Sequence, residues 1–111
     1  MGKMKDRPFK MYILIKDWVD IGHAVNGAAH AAAIAFREWG DDPEFQDWAN
    51  NSFRKVSCVV TEEEFEKALT YGCDSAIVGE QHFGPDAQLA LVFRPRRDWP
   101  GFFGSLRLYG S

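Results

Sequence analysis

Two histidines, His23 and His30, stand seven positions apart in "GHAVNGAAHAAAIAF" (22–36), a stretch made mostly of alanine. An imidazole titrates near neutral pH and can act as a general base, a proton donor or a metal ligand. On a helix, seven residues are nearly two turns, so both rings share a face with Asn26 and Gly27 between them, about 10 Å apart. That gap is too long for one metal ion, whose bonds to imidazole nitrogen are about 2 Å. Neither a metal nor another cofactor is expected.

His23 falls at the expected start of the helix, where the dipole disfavours imidazolium while Asp17 and Asp20 in "KDWVD" favour it. The plainer reading is an exposed histidine with no chemical task. His30, in mid-helix, reads first as a core histidine whose ring nitrogens are satisfied by a backbone group or a carboxylate. Glu80 ends an expected strand at a turn, the edge where α/β proteins place functional groups, and otherwise is a solvated carboxylate. Arg94, Arg96 and Arg97, around Pro95, either grip phosphates or solvate a loop. There is no GxGxxG, Walker, GxSxG, HExxH or paired CxxC sequence, so no familiar cofactor or nucleophile device is present. Cys58 and Cys73 lie in or beside apolar stretches without metal-type spacing and read as reduced thiols.

The elements that would carry these residues follow from periodicity. "MYILI" (11–15) is short, apolar and bounded by charge, the pattern of a strand buried on both faces. His23 to Trp39 is Ala-rich and free of Pro, and predicts a central helix of about four turns stopped at Gly40. Its small residues would face the sheet, with Ile21, Val25, Phe36 and Trp39 supplying bulk at the ends. Residues 41–53 predict a short second helix carrying Phe45, Trp48 and Phe53. "RKVSCVV" (54–60) predicts a second strand, and Thr61 with Glu64 forms a capping box opening a third helix. Phe65, Ala68 and Leu69 mark that helix's buried face, and Gly72 suits a left-handed stop. "SAIVG" (75–79) follows as a strand, and the strand–helix–strand order predicts a parallel pair joined by a crossover. After the turn "HFGPD", "QLALVF" (88–93) is the fourth strand, and the chain closes with a short helix and an extended end. The expected class is α/β, a three-layer α/β/α arrangement around a small mixed four-stranded sheet.

The 111 residues suit one domain. Sixteen acidic against thirteen basic residues leave a net charge of −3, which counts against tight nonspecific nucleic-acid binding. Basic residues nevertheless cluster at Lys3, Lys5, Arg7 and Lys10 and again at Arg94 to Arg97, so local basic faces remain. The first nine residues form a basic segment ahead of a domain spanning 10–111. Its apolar run is too short for a signal-peptide core or a membrane span. A cytoplasmic protein without membrane contact is expected.

Taken in order, several pieces resemble the type II peptidyl-tRNA hydrolases. They are the apolar strand, the loop with Asp17, Gly22 before a helix, His30-Ala31, "FRKVSCVV", the capped helix, "SAIVGEQ", "LALVFRP" and the terminal "LRLY". "DDPEFQDWANNSFRKV" and the short turn after Glu80-Gln81 look especially like the branch called peptidyl-tRNA hydrolase domain-containing proteins. The resemblance covers nearly the whole chain from Lys10. It implies hydrolysis, without a metal, of the ester between a peptide and the terminal ribose of tRNA, with tRNA or peptidyl-tRNA as partner and a homodimer as an admissible assembly. It also implies departures. The family's lysine at the helix start is His23 here, its glutamine four residues on is Gly27, its aspartate after the third strand is Glu80, and its threonine in the following loop has no counterpart. Lysine supplies a fixed charge, whereas neutral histidine can take a proton from water. The expected catalytic residues are therefore His23 as base or proton donor, Glu80 orienting it or water, and Asn26 polarising the ester carbonyl. Asp17, His30, Arg94 and Arg96 are the expected substrate contacts. The alternative is a noncatalytic binding module on the same fold, recognising a tRNA end, a small ligand or a protein.

Overall fold

The central strand β1 (Lys10–Lys16) organises the computed structural model, which describes residues 7–110. Most of the basic segment expected at 1–9 thus lies outside the described residues. Met11 to Ile15 are all buried, and successive side chains of a strand point to opposite faces. Met11, Ile13 and Ile15 accordingly join one apolar cluster with Phe45 and Trp48. Tyr12 and Leu14 join another with Phe65 and Phe103. Each fully buried side chain of this kind contributes about 1.5–3 kcal/mol, so a continuous apolar run is what a strand covered on both sides requires.

The first cluster is covered by α1 (Ile21–Trp39) and α2 (Pro43–Asn50). The second is covered by α3 (Glu62–Ala68) and α4 (Gly101–Gly104). The sheet also contains β2 (Arg54–Val60), β3 (Ser75–Gly79), β4 (Gln88–Phe93) and β5 (Arg107–Leu108), in the order β3-β4-β1-β2-β5. The fold is α/β, with a mixed sheet and four helices among the described residues.

Five strands, not the expected four, make the sheet, because the extended end of the chain pairs antiparallel with β2 through Cys58 and Val59. The expected pairing of β2 with β3 is also corrected. β1 and β2 are the parallel neighbours, in register from Lys10↔Arg54 to Lys16↔Val60. β3 pairs with β4, antiparallel, as β4 does with β1. The chain after β2 crosses β1 and β4 before laying β3 at the far edge, so β3 runs in the same sense as β1 and β2 without touching either. A strand–helix–strand pattern fixes the direction of return, not how many strands are passed over.

α1 presents Ala24, Gly27, Ala31 and Ala35 to the sheet, as small residues at helical spacing should. The expected bulky ends are corrected: Ile21, Val25 and Phe36 are exposed. Gly40 has right-handed φ/ψ and so is no left-handed stop; a Cβ there would collide with the Phe36 carbonyl. At α3 the capping box forms as expected, Thr61 Oγ1 accepting from Glu64 N–H at 3.1 Å and Glu64 Oε1 accepting from Thr61 N–H at 2.9 Å. Leu69 is exposed rather than buried, since α3 tightens into a 3-10 turn that rotates it outward. Gly72 is left-handed, φ +71°. Phe45 and Trp48 are buried, whereas Phe53 lies past the end of α2 and is exposed.

Candidate functional site

Because β1 and β3 run in the same sense, the loop after β1 (17–20) and the turn after β3 (80–87) leave the sheet at the same end. Such carboxyl ends of strands are where open α/β sheets hold ligands. α1 starts beneath them, and the site is built on that start.

His23 Nδ1 lies 2.6 Å from Asp20 Oδ1, the residue just ahead of α1. A carboxylate there selects the tautomer with the proton on Nδ1 and leaves Nε2 as the basic nitrogen. The hydrogen bond with His23 holds the Asp20 carboxyl below its ordinary value. His23 is about three-quarters covered, stacked on His82 with centroids 4.8 Å apart and 24° between planes. Phe83 meets it edge-on at 4.6 Å and also meets Trp18 edge-on at 5.5 Å. Trp18, Phe83 and His82 are exposed, so they form an aromatic ledge beside the dyad. Trp18 Nε1 donates to Glu62 Oε2 at 3.0 Å, and Glu62 Oε1 sits 3.0 Å from Lys16 Nζ. Those two partners, Lys16 first, hold the Glu62 carboxyl below its usual range.

Glu80 does not hold His23, contrary to the expectation. One oxygen accepts from the His82 backbone N–H at 3.4 Å, and the other lies 3.7 Å from His30 Nε2. His30 is half-exposed, so the core-histidine reading is corrected as well. With Glu80, Gln81 and Arg37 it lines an open groove of about 580 Å³ between α1 and the turn after β3. Asn26, one turn beyond His23, is exposed. The structure thus brings His23, Asn26, His30 and Glu80 to one surface.

Asp17, Arg94 and Arg96 go elsewhere. Asp17 lines a separate cavity of about 370 Å³ with Arg107 and Tyr109. β4 is antiparallel to β1, so Arg94 and Arg96, which follow β4, emerge at the opposite end of the sheet, the length of β1 or about 20 Å away. Neither arginine is a loop ornament there. Arg94 bonds Asp42 and lies 2.8 Å from Glu44 Oε1. Arg96 donates to the Asp98 carbonyl at 3.0 Å and to Cys73 Sγ at 2.9 Å.

Sequence reasoning weighed Asp20 only as a nearby charge and passed over Trp18, His82 and Phe83. The signal was present in "EQHF", an imidazole and a ring directly after the carboxylate that was noticed. Among the described residues no three His, Cys, Asp or Glu side chains converge as metal ligands, and no helix is long and apolar enough to cross a membrane. No family model matches the chain. No curated protein matches it in sequence.

Proposed function

We propose that this chain is a peptidyl-tRNA hydrolase-like esterase of the cytoplasm that uses the Asp20–His23 dyad to cleave the bond between a peptide and the terminal ribose of tRNA. The single observation that carries this reading is the 2.6 Å contact between His23 Nδ1 and Asp20 Oδ1 at the start of α1. Asp20 fixes the ring, and Nε2 takes a proton from water as the water oxygen attacks the ester carbonyl. Asn26 donates its amide N–H to the carbonyl oxygen, where negative charge develops. The ester C–O bond then breaks, and the imidazolium returns the proton to the leaving ribose oxygen. The products are a peptide with a free carboxylate and a tRNA with a free terminal hydroxyl. The ledge of Trp18, Phe83 and His82 suits stacking of the terminal base, a contact worth about 1–3 kcal/mol per base. Glu80 anchors the turn that carries His82 and contacts His30 across the groove.

The test is cleavage of purified peptidyl-tRNA by the protein and by His23→Ala. Turnover that falls at least about a hundredfold in the variant supports the dyad; equal turnover in both overturns it. A second reading, a noncatalytic module that grips a planar ring, is favoured by the stacking of His82 on His23. It predicts tRNA binding without cleavage, lost on His82→Ala and weakened by salt to the extent that phosphates are engaged.

A further inference from the structure

At the other end of the sheet, the start of β1 builds a second site. Lys10 and Tyr12 point to the same face of β1 by strand parity, and Arg54 is the in-register neighbour of Lys10 on β2. With Arg7, Arg97, Trp99 and the α4 glycines they line a cavity of about 320 Å³. Four cations and, among the described residues, no carboxylate border it. Arg97 is engaged by Asp47 at 3.7 Å and by the Arg7 carbonyl at 2.8 Å. Arg7, Lys10 and Arg54, by contrast, have no carboxylate within ion-pair distance among the described residues. Like charges on directly opposed positions of neighbouring strands repel. An anion between Lys10 and Arg54 relieves that repulsion.

The floor supplies the second, independent observation. Tyr12 is 3% exposed, packed edge-on against Trp99 at 4.8 Å and tilted against Phe103 at 5.3 Å. Its hydroxyl has no hydrogen-bond partner among the described residues, although buried phenols as a rule find one. No side-chain polar atom of the described residues is both sealed from solvent and unpartnered. The hydroxyl therefore keeps a sliver of access, and the cavity that Tyr12 lines provides it. Lys10 Nζ stands 5.4 Å over the Tyr12 ring, so a phenol with an unused donor lies beside three cations that no described carboxylate pairs, a recognition group for an acceptor. The opposite wall is apolar and flat: Trp99 has its Nε1 committed to the Arg96 carbonyl at 3.1 Å, and Gly101 and Gly104 leave open space where side chains would stand.

We propose that this cavity binds a small molecule combining a phosphate with a planar ring, a nucleoside monophosphate by class. The phosphate lies between Lys10, Arg54 and Arg7, the Tyr12 hydroxyl donates to it, and the ring rests on the wall of Trp99 and the α4 glycines. A cavity of this size takes one such ligand and does not track a polynucleotide. The site stands apart from the His23 dyad and does not depend on it.

Calorimetry at low salt with AMP, inorganic phosphate and adenosine tests both halves of the claim. AMP binds at least about tenfold tighter than either fragment, since each fragment forfeits one set of contacts. Tyr12→Phe weakens AMP about tenfold by removing one charge-assisted hydrogen bond while keeping the buried ring. Gly104→Leu, which fills the cavity without touching a charge, abolishes binding, and His23→Ala leaves it unchanged. Adenosine or phosphate binding as tightly as AMP, indifference to Tyr12→Phe, or loss with His23→Ala overturns the proposal. So does binding seen with an RNA oligomer and not with AMP, which would assign the cations to a polyanion surface.

Discussion

Glu80 Oε2 lies 3.7 Å from His30 Nε2, so the carboxylate that closes β3 serves the second imidazole of α1 and leaves the first to Asp20. The two acids are therefore separable by mutation. Asp20→Asn, which disturbs the tautomer of His23, lowers ester turnover at least about tenfold. Glu80→Gln, which keeps a hydrogen-bonding group on the turn, changes it by less than about threefold. Single-turnover rates on peptidyl-tRNA check both. A larger loss with Glu80→Gln than with Asp20→Asn would return Glu80 to the centre of the chemistry.

The dyad has a pH signature of its own. Asp20 titrates below its ordinary value because His23 hydrogen-bonds its carboxylate. In the unfolded chain an aspartate titrates near about 3.9. A depressed folded value stabilises the protein above that pH, and the contribution is lost as pH falls through the folded value. Asp20 is exposed, so solvent screens the effect and keeps it small. Carbon-13 titration of the Asp20 carboxyl shows a depressed midpoint in the native protein that rises in His23→Ala, which removes the hydrogen bond. An unmoved midpoint would mean that the hydrogen bond does not persist in solution.

Local elements were legible in the sequence where a single mechanism dictates them. The capping box of Thr61 and Glu64, the left-handed Gly72 and the apolar β1 each depend on residues within one turn or one strand. The order of the strands was not legible, because "SAIVG" pairs by period two with any neighbour and the choice of β4 over β2 is made by contacts distant in the chain. At the site, His23, Asn26, His30 and Glu80 were legible as one surface because α1 spacing and the end of β3 fix them. The partner of each acid was not, since the reach from Glu80 to His30 depends on where the turn after β3 folds back over α1. The placement of Arg94 and Arg96 was not legible for the same reason: their charge was visible, and the reversal of β4 that carries them away from His23 was not.

Burial separates the two thiols. Cys58, wholly buried on β2, has its thiol pushed up to about 11 by desolvation, with Glu64 adding to the rise. The thiolate is the nucleophile, so at pH 8 iodoacetamide reacts with half-buried Cys73 and leaves Cys58 until the protein unfolds. Peptide mapping of the native protein should show carbamidomethyl at Cys73 and not at Cys58. Rapid native labelling of Cys58 would show that β2 opens readily beside β5.

Arg94 ties three segments of the chain together. Three carboxylates, Asp42, Glu44 and Asp74, surround its three-quarters-buried guanidinium, joining the starts of α2 and β3 to the end of β4. Removing a partly covered, multiply paired charge costs more than an exposed pair and less than a sealed one. Arg94→Ala should therefore destabilise by about 1–2 kcal/mol in urea melts. Affinity for tRNA should stay unchanged at a salt concentration where both proteins are folded. A fall in affinity with no loss of stability would restore the phosphate-binding reading.

Gly27 offers a stabilising change at the site itself. It is buried in the middle of α1 against β4, and a Cβ built there would meet Leu89 Cδ2 at 3.8 Å, an ordinary contact. Glycine inside a helix is less favourable than alanine by about 0.8–1.0 kcal/mol, largely because the unfolded chain gains freedom from it. Nothing in the packing requires the missing side chain, so Gly27→Ala should raise stability by about 0.5–1 kcal/mol, read as a higher urea midpoint with an unchanged slope. The dyad lies one turn away and the methyl points into the sheet, so ester turnover should hold. A destabilised Gly27→Ala would show that α1 sits closer to β4 in solution than 3.8 Å allows, and that the glycine among the alanines is there to permit that approach.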